Sequence, residues 1–225
     1  MSDYLRVVAE LASPLAGDAP QLDALLEYVM SMHHGCGGGK LARGRPAPPQ
    51  GAMPIPLLRR RLGPWLVGAC SDPIYSDPTA DVAEYVCKRI EPDGSRLLDP
   101  AERKKMLTGG TWTKSYRLPI RTRTIDRIVW FAVADRKPLY KALKQAGAVG
   151  VKTSVGYGRV SRWTVDRIDD DWSWYAPHDG GSMLMSTLPA GDWLPANLVG
   201  FRADFGAATP PYWHPDRYTE IVKPC

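Results

Sequence analysis

Residues Gly150 to Arg159, GVKTSVGYGR, combine three glycines with a lysine, two small hydroxyls and a tyrosine. Glycine lets backbone N–H groups approach an anion, Lys152 adds a positive charge, and Thr153 and Ser154 add donors. The stretch therefore has the composition of a phosphate-holding loop. Two familiar phosphate loops do not fit it. The P-loop has four residues between its glycines and ends Gly-Lys-Ser/Thr; here Val151 to Val155 separate Gly150 from Gly156, and the ending is Gly156-Tyr157-Gly158. The dinucleotide fingerprint follows a strand and opens a helix, and this loop has the reverse context. The same glycines also suit close packing of a helix on a strand, so both uses stay open. Tyr157 and Arg159 are candidates to stack on a base or pair with a phosphate, with a core position the other reading for Tyr157.

The charge distribution points the same way. The chain has 225 residues and a net charge of +5. Between Glu27 and Asp72 there is no acid, while Lys40, Arg43, Arg45, Arg59, Arg60 and Arg61 fall there. From Arg103 to Arg123 seven cations again meet no carboxylate. Acids gather elsewhere, as in DRIDDDW from Asp166 to Trp172. Segregated charge of this kind is the footprint of a polyanionic partner. Lys104, Lys105, Lys114, Tyr116, Arg121 and Arg123 are candidates for a second surface facing nucleic acid. Trp112 is a candidate stacking platform or a packed residue. Arg59 to Arg61 could meet nucleic acid or an acidic partner.

Chemistry beyond binding has little to stand on. His33, His34 and Cys36 lie together, but no second ligand pair follows at finger spacing, and the cysteines show no framework. No metal or other cofactor is expected. Gly-x-Ser-x-Gly and HExxH are missing. No signal peptide or membrane-length apolar run is found, which gives a cytoplasmic expectation and no membrane partner.

These residues need elements to position them. YLRVVAELAS alternates as a first strand, with Leu5, Val7 and Ala9 on one side. QLDALLEYVMSMHH reads as a helix with Leu22, Leu25, Leu26 and Val29 on its stripe. LLRRRLGPWLVGACS suggests one or two short strands around a Gly-Pro turn, and TADVAEYVCKRI suits either a helix or a strand. IDRIVWFAVAD is nearly continuous in apolar residues, as in a strand covered on both faces. RKPLYKALKQAG then reads as an amphipathic helix stopped at Gly147, and GRVSRWTVDRI as a closing strand. The order gives an α+β, ferredoxin-like (RRM-like) βαββαβ core over residues 1–168. Residues 36–64 and 92–124 are basic insertions, with Gly109-Gly110 a possible hairpin turn. Residues 169–225 form an aromatic-rich extension without clear periodicity.

The glycine loop resembles the G-rich loop of the RAMP superfamily, the RNA-binding proteins of CRISPR systems. That pattern is a glycine, five residues including Lys or Arg, then Gly-x-Gly, between the last helix and last strand. The further glycine often found two positions earlier is Ala148 here. SPLAGDAPQLDALLEYVM, GPWLVGACS, GTWTKSYRLPIRTRTIDRIVWFAVAD and GYGRVSRWTV are similar to successive segments of the Cas-five-like subunit of type IV CRISPR effector complexes. The resemblance implies a non-catalytic subunit that caps the 5′ handle of the crRNA. Its expected partners are the crRNA, the repeated backbone (Cas-seven-like) subunits and the large subunit, with target DNA near the protospacer-adjacent motif a further candidate. Some relatives in the superfamily instead cleave guide RNA without a metal, using a histidine just after the first helix. His33 and His34 occupy that place and define the alternative.

Overall fold

Leu5, Val7 and Ala9 alternate with polar neighbours, and in the computed structural model all three are fully buried. The structure describes residues 2–33, 49–51, 53–88 and 116–225. The first strand, β1 (Asp3–Leu11), sits inside an antiparallel sheet between β8 (Arg127–Ala134) and β9 (Val160–Arg167). The two-residue β5 (Ile74–Tyr75) lines the other side of β8. One face of this sheet carries α1 (Leu22–His33) and α2 (Arg136–Leu143). Leu22, Leu25, Leu26 and Val29 of α1 and Leu139, Ala142 and Leu143 of α2 close over Leu5, Val7, Ile128, Trp130 and Val165 to make the main core. Asp135 caps α2 by accepting the Lys137 N–H. That helix ends four residues before Gly147, and the turn beyond it still buries Ala146. The opposite face of β8 is covered too, because Phe131 and Val133 are buried and Phe131 meets Trp172 edge-on at 5.1 Å.

The ferredoxin-like βαββαβ expectation is overturned. Among the described residues strand predominates, 46% against 14% helix, and that balance fits such a core poorly. Among the described residues there are two α-helices and several small sheets, and eleven of the fifteen strands lie outside the main sheet. β3 (Arg59–Leu62) and β4 (Trp65–Gly68) form a hairpin. β6 (Ala80–Lys88) and β7 (Tyr116–Thr124) form a nine-residue ribbon, joined at its base by β2 (Leu15–Ala16). Residues read as a helix-or-strand segment and as an insertion are thus two strands of one ribbon. Past Asp169, β10 (Tyr175–His178) and β11 (Gly181–Leu184) pair, and β13 (Leu198–Val199) joins them. β12 (Leu188–Pro189), β14 (Phe201–Ala207) and β15 (Tyr218–Pro224) make another three-stranded sheet.

The physical reason is plain. A strand shows in sequence by alternation when one face is buried and the other wet. Most of the additional strands are two to four residues long, too short to alternate; of the longer ones, β6 and β7 are ribbon arms, β14 is an exposed edge, and β15 between β12 and β14 buries the adjacent Ile221 and Val222 rather than an alternating set. A second core, Leu62, Val67, Trp174, Leu184, Leu188 and Val222, joins the β3–β4 hairpin to residues of the 169–225 segment. No helix among the described residues is long and apolar enough to cross a membrane.

Candidate nucleic-acid interface

The glycine loop is built largely to pack. Gly150, Gly156 and Gly158 all have positive φ, and so does Lys152, at 56°. A Cβ on Gly150 would lie 2.7 Å from Leu15 Cδ1 and 2.9 Å from the Ala16 carbonyl oxygen. One on Gly158 would run into the Val149 carbonyl. Only Gly156 of the three has open space around that position. The inward N–H groups are taken up by the turn between β1 and β2: Gly158 donates to Pro14 O (2.8 Å) and Val151 to Ala16 O (3.1 Å). Ser13 donates its hydroxyl to Gly156 O (2.8 Å) and accepts from the Arg159 N–H (2.9 Å). Between these anchors Thr153–Val155 form a single 3₁₀ turn. Thr153, Ser154 and Arg159 are exposed and Lys152 is half-buried.

The ribbon divides into two faces. Residues directly opposite in an antiparallel pair share a face. The register Val82↔Thr122 and Glu84↔Ile120 therefore defines one face, and Asp81↔Arg123, Ala83↔Arg121, Tyr85↔Pro119 and Cys87↔Arg117 the other. Thr122 and Ile120 are buried, so the first face looks inward. There Tyr157 donates its hydroxyl to Glu84, tying the glycine loop to the ribbon. That bond, with smaller help from desolvation and the carboxylate's charge, raises the Tyr157 pKa above its ordinary value. The outward face presents Arg117, stacked 3.9 Å over the exposed Tyr85 ring, and Arg121. Arg121 is tied to Asp81, whose carboxyl it holds below the usual range by hydrogen bonding first and charge second.

The predicted residues divide accordingly. Gly150, Lys152, Thr153, Ser154, Gly156, Tyr157, Gly158 and Arg159 do form one loop, beside the ribbon that carries Arg121 and Arg123. Arg123 is largely occupied at the ribbon base: it donates to Asp18 (2.6 Å) and Gly17 O (3.1 Å) and lies 4.3 Å over the Tyr75 ring. Lys104, Lys105, Trp112, Lys114 and His34 lie outside the described residues, as do the side chains of Tyr116 and His33. The basic triplet is mostly structural. Arg59 pairs with Glu27 at 2.6 Å, and Arg60 pairs with Asp171 at 2.8 Å over the Trp174 ring, while Arg61 is exposed. Tyr85 and Arg117 were not foreseen as a stacked pair, because their approach depends on a cross-strand register.

A buried polar joint was also not foreseen. Tyr212 donates to both oxygens of Asp23, each at 3.0 Å, and burial pushes the Asp23 carboxyl up to about 7 against the opposing effect of that bond. Nearby, Asp72 accepts from Gln21 (2.6 Å) and from the Thr187 N–H (3.0 Å) and hydroxyl (2.7 Å). Cys70 is buried beside Asp23, and desolvation pushes its thiol well above the ordinary value, so it is poorly suited to act as a nucleophile. These partners are up to 189 residues apart in sequence, so no spacing could announce them. Among the described residues no group of three or more His, Cys, Asp or Glu side chains could hold a metal. Scanned against known families, the chain matches no family model, and a search of curated proteins returns no match.

Proposed function

We propose that this chain is a non-catalytic RNA-binding subunit of a type IV CRISPR ribonucleoprotein, holding the 5′ handle of the crRNA. The observation that supports it best is the ribbon. Its inward face buries Thr122 and Ile120 and carries the Tyr157–Glu84 bond, with Val82 and Leu118 still exposed, and its outward face offers Arg117 over the Tyr85 ring and Arg121 beside Asp81. Guanidinium groups hold phosphates, and an exposed Tyr ring accepts a base face without regard to sequence. The exposed hydroxyls of Thr153 and Ser154 and the Arg159 guanidinium extend the polar surface past the ribbon base. This reading does not lean on a ferredoxin-like core. The backbone subunits, the large subunit and target DNA near the protospacer-adjacent motif are the proposed neighbours, and the cytoplasm the proposed compartment.

The test is a tagged pull-down from cells that carry a CRISPR array, with the bound RNA sequenced and the bound proteins identified. Guide-length RNAs sharing one repeat-derived 5′ end, with stoichiometric backbone subunits, are expected. The double variant R117E/R121E should lose the RNA while staying folded. RNA-free protein from such cells, or undiminished RNA on the double variant, would overturn the reading.

A further inference from the structure

We infer that β14 is a self-pairing edge, through which two copies of this chain join their C-terminal sheets into one six-stranded sheet. The inference stands independently of the RNA-binding reading. The sheet order is β12-β15-β14, so among the described residues β14 has a partner on one side only. It is seven residues long, and Phe201 through Phe205 are all exposed, with Phe201 at 42% and Phe205 at 65%. Long, apolar, open edges are templates for pairing with another strand.

The register identifies the partner. Cys225 donates to Gly200 O and Ala208 donates to Arg217 O, each at 3.0 Å, in phase with the pairing Arg202↔Lys223 and Asp204↔Ile221. Backbone bonds of an antiparallel pair fall on alternate residues. The even-numbered residues of β14 therefore bond to β15, and Phe201, Ala203, Phe205 and Ala207 turn their N–H and C=O groups outward. A two-fold axis at Ala203 matches these outward groups between copies, Ala203 with Ala203 and Phe201 with Phe205 of the second copy. The same axis sets Arg202 of one copy opposite Asp204 of the other, twice. An axis at Phe201 or Phe205 sets Arg202 and Asp204 opposite uncharged residues instead. One register thus satisfies the backbone edge, pairs the aromatic rings on one face and pairs opposite charges on the other, each a favourable cross-strand combination.

Within one copy the charges stand unevenly. Arg202 lies directly across from Lys223, a like charge, and Asp204 pairs with Lys223 at 2.8 Å while accepting the outward Phe205 N–H at 2.7 Å. These charges guard the edge against indiscriminate strands, and a partner with the reversed order, which a second β14 supplies, complements them. The ribbon and the glycine loop lie on other elements.

The experiment is sedimentation velocity of the purified full chain across a concentration series, with circular dichroism to confirm folding. Wild-type protein should pass from monomer to dimer as concentration rises. R202D and D204R should each weaken the dimer about tenfold, since every cross-strand pair becomes a like-charge pair. The double variant R202D/D204R restores opposite charges at both contacts and should recover the wild-type dimer. A203P removes the central outward N–H without touching a bond to β15, and should abolish the dimer with the fold intact. A wild-type chain that stays monomeric at hundreds of micromolar, a swap that fails to restore pairing, or a fully dimeric A203P variant would each overturn the inference, the first leaving the edge to a strand of another protein.

Discussion

The glycine loop and the Asp23–Tyr212 joint each fasten a late segment of the chain to an early one, but they use different materials. The loop holds Val149 to Arg159 against Ser13 to Gly17 mainly through backbone groups, so its requirements are conformational: left-handed φ values and the absence of a Cβ. The joint holds the tail against α1 through buried side chains, so its requirements are electrostatic, a carboxyl with its ionised form penalised by burial. The loop should therefore respond to changes of shape and ignore pH, while the joint should respond to pH and tolerate small changes of shape.

Gly158→Ala breaks the first half of that contrast most severely. The added methyl group meets a backbone carbonyl that the Val149–Gly158 pairing holds in place, at a φ of +61°. A loss of about 3 kcal/mol or more is expected in denaturant unfolding. Gly156→Ala, with open space around it and only its φ of +107° against it, should cost about 1–2 kcal/mol. Equal losses for the two would mean that packing on the β1–β2 turn is not what the loop's glycines serve.

The joint comes next in size. Tyr212→Phe removes the tail's donor and leaves the buried Asp23 carboxyl with the Ala24 N–H at 2.7 Å, which should cost about 1–3 kcal/mol above pH 7. The pH dependence has a definite sign. Asp23 binds its proton more tightly folded, at about 7, than unfolded, near 3.8. Between those values the folded state carries the extra proton, so stability is full below about pH 4 and falls as pH rises toward 7, by up to about 1.4 kcal/mol per pH unit. Glu27, also raised by burial, adds to the same slope. Asp23→Asn should flatten most of it in urea melts from pH 4 to pH 8. A slope unchanged by Asp23→Asn would show that other groups carry it.

Charge reversal on the ribbon separates binding from stability. Arg117→Glu and Arg121→Glu should each cost about 1 kcal/mol or less in unfolding free energy, because the Tyr85 contact and the Asp81 ion pair that they remove are exposed. Each should reduce the salt slope of RNA binding by about one for every phosphate that the arginine had neutralised. An unchanged slope in both would remove the outward ribbon face from the interface.

The same contrast explains what could be read in the sequence. Strand β1 and helix α1 carry long, one-sided apolar patterns, and Leu5, Val7, Ala9, Leu22, Leu26 and Val29 all lie in the main core where their periodicity puts them. Trp130 and its neighbours on β8 are covered on both faces, as a nearly continuous apolar run requires. The ribbon carries no such pattern. Tyr85, Leu118 and Val82 stay exposed on its arms, so TADVAEYVCKRI suits a helix as well as a strand and the arm after it shows no apolar period, although the two pair over nine residues. Arg59 and Arg60 illustrate a second limit. Their charge is evident, but whether a guanidinium faces a partner or a carboxylate of the same chain depends on Glu27 and Asp171, which only the fold brings near. The glycine loop was legible as a loop, yet its spacing could not distinguish room for an anion from room for Leu15.

Tyr157 links the two uses of that loop and offers the smallest but most discriminating change. Its hydroxyl reaches Glu84 from a half-buried position, so Tyr157→Phe should lower global stability by about 0.5 kcal/mol. The bond nevertheless connects the loop to the inward face of the ribbon, whose outward face holds Arg117 and Arg121. If loop and ribbon bind RNA as one rigid surface, loosening the bond should speed amide exchange along the ribbon and weaken RNA binding several-fold, with the salt slope unchanged because every cation that meets a phosphate is still present. If they act separately, exchange and affinity should both match the wild type. Faster exchange with unaltered affinity would show that the bond orders the ribbon but that RNA binding does not use that order.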